Sequence, residues 1–249
     1  TDWNDWFGRG GLIEVLRPQW YRILFARFET YYEEAFRTRA DGLTVICSAL
    51  AERAKKLGVP ADRICLISGG TSPEVYPTRT KEECRKHMGY GLAHPILGFA
   101  SADSFLDVKI VLEALAIVAQ RFPDVRLIIT GKTNPQLLAA AEQAGVSERL
   151  ILPGFLPVEE LSWCLGCSDV LLLPFPDTIY NNGRWPNKVG VYFCLARPVV
   201  SNPTGEMQPL FRDNRVGLTT DYTPEAYAEG IMTLLDDPEA AQQMGQNAY

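Results

Sequence analysis

From residue 96 onward, apolar runs of four to six residues alternate with longer amphipathic stretches. ILGFA reads as a strand followed by a helix over 105–122, and VRLIIT as a strand followed by a helix over 134–144. RLILPG precedes a helix over 158–167, DVLLL precedes a helix at Pro186, and RPVVS precedes a helix over 205–211. A strand over 216–219 leads into helices over 224–235 and 238–247. The strands are short, apolar and non-alternating, as expected where helices cover both faces of a sheet. This half is expected to be a Rossmann-like α/β domain with a doubly wound parallel sheet. Ligands in such folds bind beyond the carboxyl ends of the strands. The loops after Ala100, Thr130, Gly154, Leu173 and Ser201 are therefore the candidates.

Upstream the rhythm is less regular. A strand over 43–47, a helix over 48–57 and a strand over 63–67 form a further strand–helix–strand unit. Ser48 is a plausible N-cap for that helix, and Gly58 supplies its stop. The first forty residues are dense in Trp, Tyr and Phe. From Pro18, the positions Trp20, Ile23, Leu24, Ala26, Phe28, Tyr31 and Ala35 give a rough helical stripe. That stripe fits a helix packed on a sheet; it also fits a surface that meets a membrane or another domain. Residues 76–94 read as a linker with one short solvated helix.

The stretch from Ser168 to Gly205 carries the strongest chemical signal: strand, long polar loop, helix, strand, tight turn. Arg184 and Lys188 fall where the helix begins, and Asn181 and Asn182 add side-chain donors. A helix start already carries partial positive charge, so cations there are disfavoured unless an anion is held. Pro186 suits the first turn, where its missing N–H costs nothing. No acid in that turn neutralises the pair, and a diphosphate is the expected anion. Lys132 after the strand ending at Thr130 is a further candidate, although it also reads as a surface lysine. Thr204 and Gly205 form a turn whose backbone approaches a ligand closely. Glu206 can accept bonds from sugar hydroxyls or simply favour a helix start. Gly98 and Phe155, in or after neighbouring strands, complete the donor-binding candidates. Ser104 with Asp107 looks like a helix cap whose acid repels a phosphate.

Composition narrows the function classes. The 249 residues carry a net charge of −6, which argues against nucleic acid as a partner. No apolar run reaches the length of about 18 residues that a spanning helix needs. Cys164 and Cys167 have the spacing of a redox or metal pair but sit in an amphipathic stretch without a second pair or a histidine. They are read as core residues, and no metal site is expected. The six cysteines fit a reduced, cytoplasmic protein. The chain begins with Thr1 rather than Met, so it is expected to be a piece or processed form of a longer protein. GxSxG, HExxH, P-loop and GxGxxG patterns are absent from the sequence.

The segment LTVICSALAERAKKLGVPADRICLISGGTSPEVYP resembles the domain junction of group-1, family-4 retaining glycosyltransferases. EALAIVAQRFPDVRLIITGK, ERLILPGFLPVEELSWCLGCSDVLLLP, ARPVVSNPTGE and LLDDPEAAQQMGQNA resemble successive pieces of that family's second domain. The resemblance implies a GT-B fold of two Rossmann-like domains. Residues 1–75 would be the last part of the acceptor-side domain, 76–94 the linker and 95–249 the donor-binding domain. It further implies transfer from a nucleotide-sugar with retention and without a metal or other cofactor. The acceptor is open: glycan, lipid or small molecule. A cytoplasmic location with peripheral contact at the inner membrane face is compatible with this reading. Two departures stand out. Ser101 and Leu106 occupy the positions of the family's diphosphate-gripping Arg and Lys, and Gly183 and Val191 those of its paired glutamates. Arg184-Trp-Pro-Asn-Lys188 matches an Arg-x-Pro-x-Lys pattern of some members, which implies that Arg184 and Lys188 take over the grip as catalytic cations. A degenerate module that binds without turnover is the principal alternative. An epimerase of the same fold would need more acid–base groups.

Overall fold

The structure, a computed structural model, describes residues 1–91, 93–100 and 105–249, leaving aside the side chains of Phe105 and Leu106. It divides into two compact units. The first comprises Thr1–Gly70, Pro176–Asn187 and Thr204–Gln208; the second comprises Thr71–Phe175, Lys188–Pro203 and Pro209–Tyr249.

In the first unit, β1 (Asp2–Trp3), α1 (Leu12–Leu16), α2 (Gln19–Thr38), β2 (Leu43–Val45), α3 (Ser48–Lys56) and β3 (Ile64–Leu66) follow in order. The three strands form a parallel sheet in the order β1-β2-β3. Trp3, Leu43, Val45, Cys47, Leu50 and Ala54 make its core. Leu50 and Ala54 lie four apart on α3, so one helical face carries both to the sheet. The helix stops at Gly58, whose φ of +91° favours glycine. Its N-cap is Cys47, one residue before the expected Ser48, and no side chain of its own caps it. The α2 stripe faces the opposite way from the expectation of packing on the sheet. Only Ala26 and Glu33 of α2 are buried, while Trp20, Ile23, Leu24, Phe28 and Tyr31 are more than half exposed.

Glu33 explains that orientation. Its carboxylate accepts from Trp3 Nε1 at 2.8 Å, Phe7 N at 2.9 Å and Gly8 N at 2.6 Å. The buried Arg53 guanidinium reaches both carboxylate oxygens, at 3.2 and 3.1 Å. Arg53 also lies over the rings of Trp3 and Trp6, 4.8 and 4.2 Å from their centroids. The polar network holds the narrow face of α2 inward and fixes residues 3–8 against it.

The second unit contains α4 (Lys81–Met88), β4 (Ile96–Ala100), α5 (Phe105–Arg121), β5 (Arg126–Thr130), α6 (Pro135–Gln143), β6 (Leu150–Gly154), α7 (Val158–Leu165) and β7 (Val170–Leu173). The short helix α8 (Ile179–Asn182) belongs to the first unit. Then come α9 (Asn187–Cys194), β8 (Val199–Ser201), α10 (Met207–Asn214), β9 (Gly217–Thr219), α11 (Pro224–Asp236) and α12 (Pro238–Ala248). Six parallel strands stand in the order β6-β5-β4-β7-β8-β9. The chain starts in the middle, builds outward one way and then the other, which places a switch point between β4 and β7. Val111, Leu115, Leu127, Val170, Tyr227 and Ile231 are among the buried residues of its core.

Helix α4 is not solvated as expected. Cys84 and Arg85 are buried. Arg85 donates to Cys167 O at 2.9 Å and to Asp169 Oδ2 at 2.6 Å, and Asp169 also accepts from Ile96 N at 2.7 Å. A buried guanidinium that pairs with a carboxylate and a carbonyl is tolerated where an unpaired one would not be. A charge count along the sequence does not reveal this.

Candidate functional site

In the second unit the switch point is fixed by α9. Tyr192 is fully buried; its hydroxyl accepts from Ala100 N at 2.8 Å and donates to Leu172 O at 3.1 Å. One side chain thereby joins the carboxyl ends of β4 and β7. Burial raises the Tyr192 phenol well above its ordinary range, so it stays neutral. Lys188, one turn before Tyr192, has Nζ 4.7 Å from the centroid of Phe99 in β4. The neighbouring strand ends are held by Ser201 Oγ donating to Leu173 O at 2.8 Å and Phe175 N donating to Asn202 Oδ1 at 2.8 Å. Phe155 is 85% exposed beyond β6, and Lys132 is exposed beyond β5. Gly98 lies inside β4, where a Cβ would stand 2.2 Å from Ser168 Oγ. Packing inside the sheet therefore already requires glycine there. Ser101, Ser104 and the side chain of Leu106 lie outside the described residues.

The first unit gathers most of the remaining candidates. The expected polar loop contains α8, capped by Thr178, whose side chain accepts from Asn181 N at 3.0 Å. Asn181 is buried and donates from Nδ2 to Pro176 O at 2.9 Å. Its Oδ1 accepts from Arg184 Nε at 2.9 Å. Arg184 NH1 donates to Tyr180 OH at 3.0 Å, and its guanidinium lies 4.3 Å from that ring's centroid. Arg184 is thus aimed by Asn181 and Tyr180. It lies three residues before α9 rather than in that helix's first turn. Asn182 is partly exposed, with Nδ2 donating to Asp177 Oδ1 at 2.6 Å and Thr178 O at 2.9 Å. Gly205 has a φ of +53°, and a Cβ there would be 3.3 Å from Asn182 Cα. Thr204 is buried beside it. Glu206 accepts from Ser48 N at 2.6 Å. An acid at that point complements the start of α3, which its own residues leave without a side-chain cap.

Two residues near this cluster carried no signal in the sequence. Asp5 pairs with Arg184 in an isolated antiparallel bridge, and Trp6 N donates to Gly183 O at 3.1 Å. Burial raises the Asp5 carboxyl above its ordinary range, while the Arg184 charge pulls it down. Cys47 Sγ lies 3.5 Å from Asn182 O. Its thiol is pushed up to about 11 by burial, and the negative charges of Glu206 and Asp5 add to the effect. Only the density of Trp, Tyr and Phe over the first forty residues marked this segment as unusual.

The candidates thus divide. Asn181, Asn182, Arg184, Thr204, Gly205 and Glu206 belong to the first unit, whereas Gly98, Lys132, Phe155 and Lys188 belong to the second. Cys164 and Cys167 are buried in and just after α7, with thiols pushed up to about 12 chiefly by burial. Among the described residues there is no cluster of His, Cys, Asp and Glu suited to a metal ion.

Comparison with known proteins adds a family. The model described as "Glycosyl transferases group 1" matches residues 94–237. D-inositol 3-phosphate glycosyltransferase of Corynebacterium glutamicum (strain R) is 26% identical over 204 residues, 75% of this chain and 47% of that protein. The chain spans about half the length of the curated relatives it matches. Among solved structures, sucrose-phosphate synthase from Thermosynechococcus elongatus superposes with a TM-score of 0.74 at 19% identity, covering 96% of this chain and 60% of that one. Anabaena HepE in complex with UDP and glucose gives a TM-score of 0.74 at 18% identity, covering 90% and 62%.

Proposed function

This chain belongs to the group 1 glycosyl transferases, and from that premise we propose that it carries the nucleotide-sugar site of an enzyme that transfers the sugar to a separate acceptor with retention. The observation that carries the reading is the switch point between β4 and β7, where α9 presents Lys188 beside Phe99. In this reading Lys188 of the second unit and Arg184 of the first are each a candidate cation for neutralising a departing diphosphate. That is electrostatic work which preorganised cations perform without a metal. The UDP bound by HepE makes UDP the first nucleotide to test. The acceptor, whether glycan, lipid or small molecule, binds elsewhere in the whole enzyme. We place a cytoplasmic location with peripheral contact at the inner membrane face on the exposed side of α2; no helix among the described residues is long and apolar enough to cross a membrane.

Calorimetric titration with UDP, GDP and their glucose and mannose conjugates tests the reading. Wild type is expected to prefer one nucleotide, and Arg184→Ala and Lys188→Ala each to weaken it about tenfold or more, the scale of a lost charge-assisted contact. Equal and weak binding by all three proteins would sink the assignment. A second reading, a module that binds the donor without transferring its sugar, is favoured by Asn182 and Glu206. Asn182 Nδ2 and Glu206 Oε1 are both engaged in internal bonds. Donor hydrolysis or transfer by the full-length enzyme would dismiss it.

A further inference from the structure

We propose that Asp5 is a positioning residue for the anion site at Arg184: its carboxylate opposes the guanidinium when no anion is bound and yields it to a diphosphate. The inference rests on the donor-binding reading above and deepens it. Residues directly opposite in an antiparallel pair carry their side chains on the same face, with Cβ atoms about 5 Å apart. Asp5 and Arg184 are such a pair, and the Trp6 N–H to Gly183 O bond holds the two segments in that register. The Asp5 segment is anchored from behind. Glu33 takes the amides of Phe7 and Gly8, Thr30 Oγ1 takes that of Arg9 at 3.0 Å, and Trp3 is fully buried. Asp5 is therefore held in place by its neighbours.

The charges around it point the same way. Arg184 acts on it from the loop after β7 and Cys47 lies within its field at the start of α3, where Glu206 from the turn after β8 also acts on the thiol. Glu206 is engaged with Ser48 N. Asp5 is the acid whose main-chain partner is Arg184 itself. Its carboxyl is half-buried and raised by desolvation, while the Arg184 charge pulls it down, so the two groups interact. A diphosphate arriving at Arg184 meets that negative charge. A neutral isostere at position 5 removes the competition without altering the shape of the loop.

The experiment is titration of UDP, and separately of inorganic pyrophosphate, into wild type, Asp5→Asn, Asp5→Ser and Asp5→Glu, with a melting curve for each. Asp5→Asn and Asp5→Ser are expected to tighten both ligands about fivefold, and Asp5→Glu to restore wild-type affinity. A merely structural role would weaken binding in all three variants. If wild type binds UDP and the uncharged variants bind it equally well or less well, the Asp5 inference is overturned and the donor reading stands. If no protein in the series binds either ligand, both are overturned together. Two uncharged side chains of different size keep the test valid should one of them fold poorly.

Discussion

Replacing Glu33 with alanine tests whether one buried carboxylate organises the first unit. The side chain is 2% exposed and accepts five hydrogen bonds: from Trp3 Nε1, Phe7 N, Gly8 N and two nitrogens of Arg53. Alanine leaves three neutral donors without their acceptor. It also leaves a guanidinium that is 9% exposed, with only Glu34 Oε1, at 3.0 Å, as a remaining charged partner. Breaking a buried pair costs about 3–5 kcal/mol, and each stranded donor about 1–3 kcal/mol. The terms overlap because the site relaxes and admits water, so a loss of about 4 kcal/mol is expected, a large share of a typical domain's stability. Urea unfolding of wild type, Glu33→Ala, Arg53→Met and the double variant measures it. The double variant should lose less than the sum of the single losses, because removing both charges leaves neither stranded. Amide exchange at Phe7 and Gly8 should accelerate in Glu33→Ala while β2 stays protected. A loss below about 1 kcal/mol, or strict additivity in the cycle, would refute the reasoning.

Three further outcomes follow from the second unit and from the thiols of both units. Gly98→Ala puts a Cβ 2.2 Å from Ser168 Oγ and 2.6 Å from Leu171 Cδ2, so unfolding should show a loss of about 2 kcal/mol. Adding Ser168→Ala should recover part of that loss, since the buried Ser168 Oγ has no hydrogen-bond partner among the described residues. Arg197 is buried and donates to Gly166 O, Leu195 O, Ala196 O and Arg79 O, which satisfies carbonyls just beyond the ends of α7 and α9. Arg197→Ala should therefore cost about 3 kcal/mol in denaturant unfolding. At pH 8, thiols raised to about 11 and 12 at Cys47, Cys164 and Cys167 hold only about one part in a thousand or less as thiolate. A disulfide reagent should then label the exposed Cys65 first. The reaction of Cys47, Cys164 and Cys167 should speed up as the pH is raised toward those values, with no plateau near neutrality.

The second unit was legible because its signal is local and repeated. Strands buried on both faces read as apolar runs, the helices between them keep a 3.6-residue period, and the alternation itself dictates a parallel sheet. The α2 helix was legible as a helix but not in its orientation. Hydrophobic period reports that a helix has two faces, and a count of apolar residues assigns the richer face to the core. Here Glu33, an acid, decides instead, because its partners Trp3, Phe7, Gly8 and Arg53 come from three other segments. Arg184 and Lys188 read from the sequence as one cluster at a helix start; Arg184 belongs to the first unit and Lys188 to the second.

The segment least legible in sequence also accounts for the chain's departure at position 183. Glycine stands there where the family resemblance anticipates an acid. A Cβ at Gly183 would lie 2.5 Å from Trp6 Cβ, a distance at which something must move. The Trp6 amide donates to the Gly183 carbonyl, so the two backbones are drawn together rather than merely adjacent. No residue with a side chain fits unless the Trp6 segment withdraws, and the Glu33 network anchors that segment at the next two residues, Phe7 and Gly8. The exclusion of a side chain at 183 and the presence of an aromatic, acid-bearing loop at 5–6 are therefore one structural fact. The same close approach pairs the backbones of Asp5 and Arg184 in an isolated antiparallel bridge, so the loop that excludes a side chain from position 183 brings an acidic residue opposite Arg184.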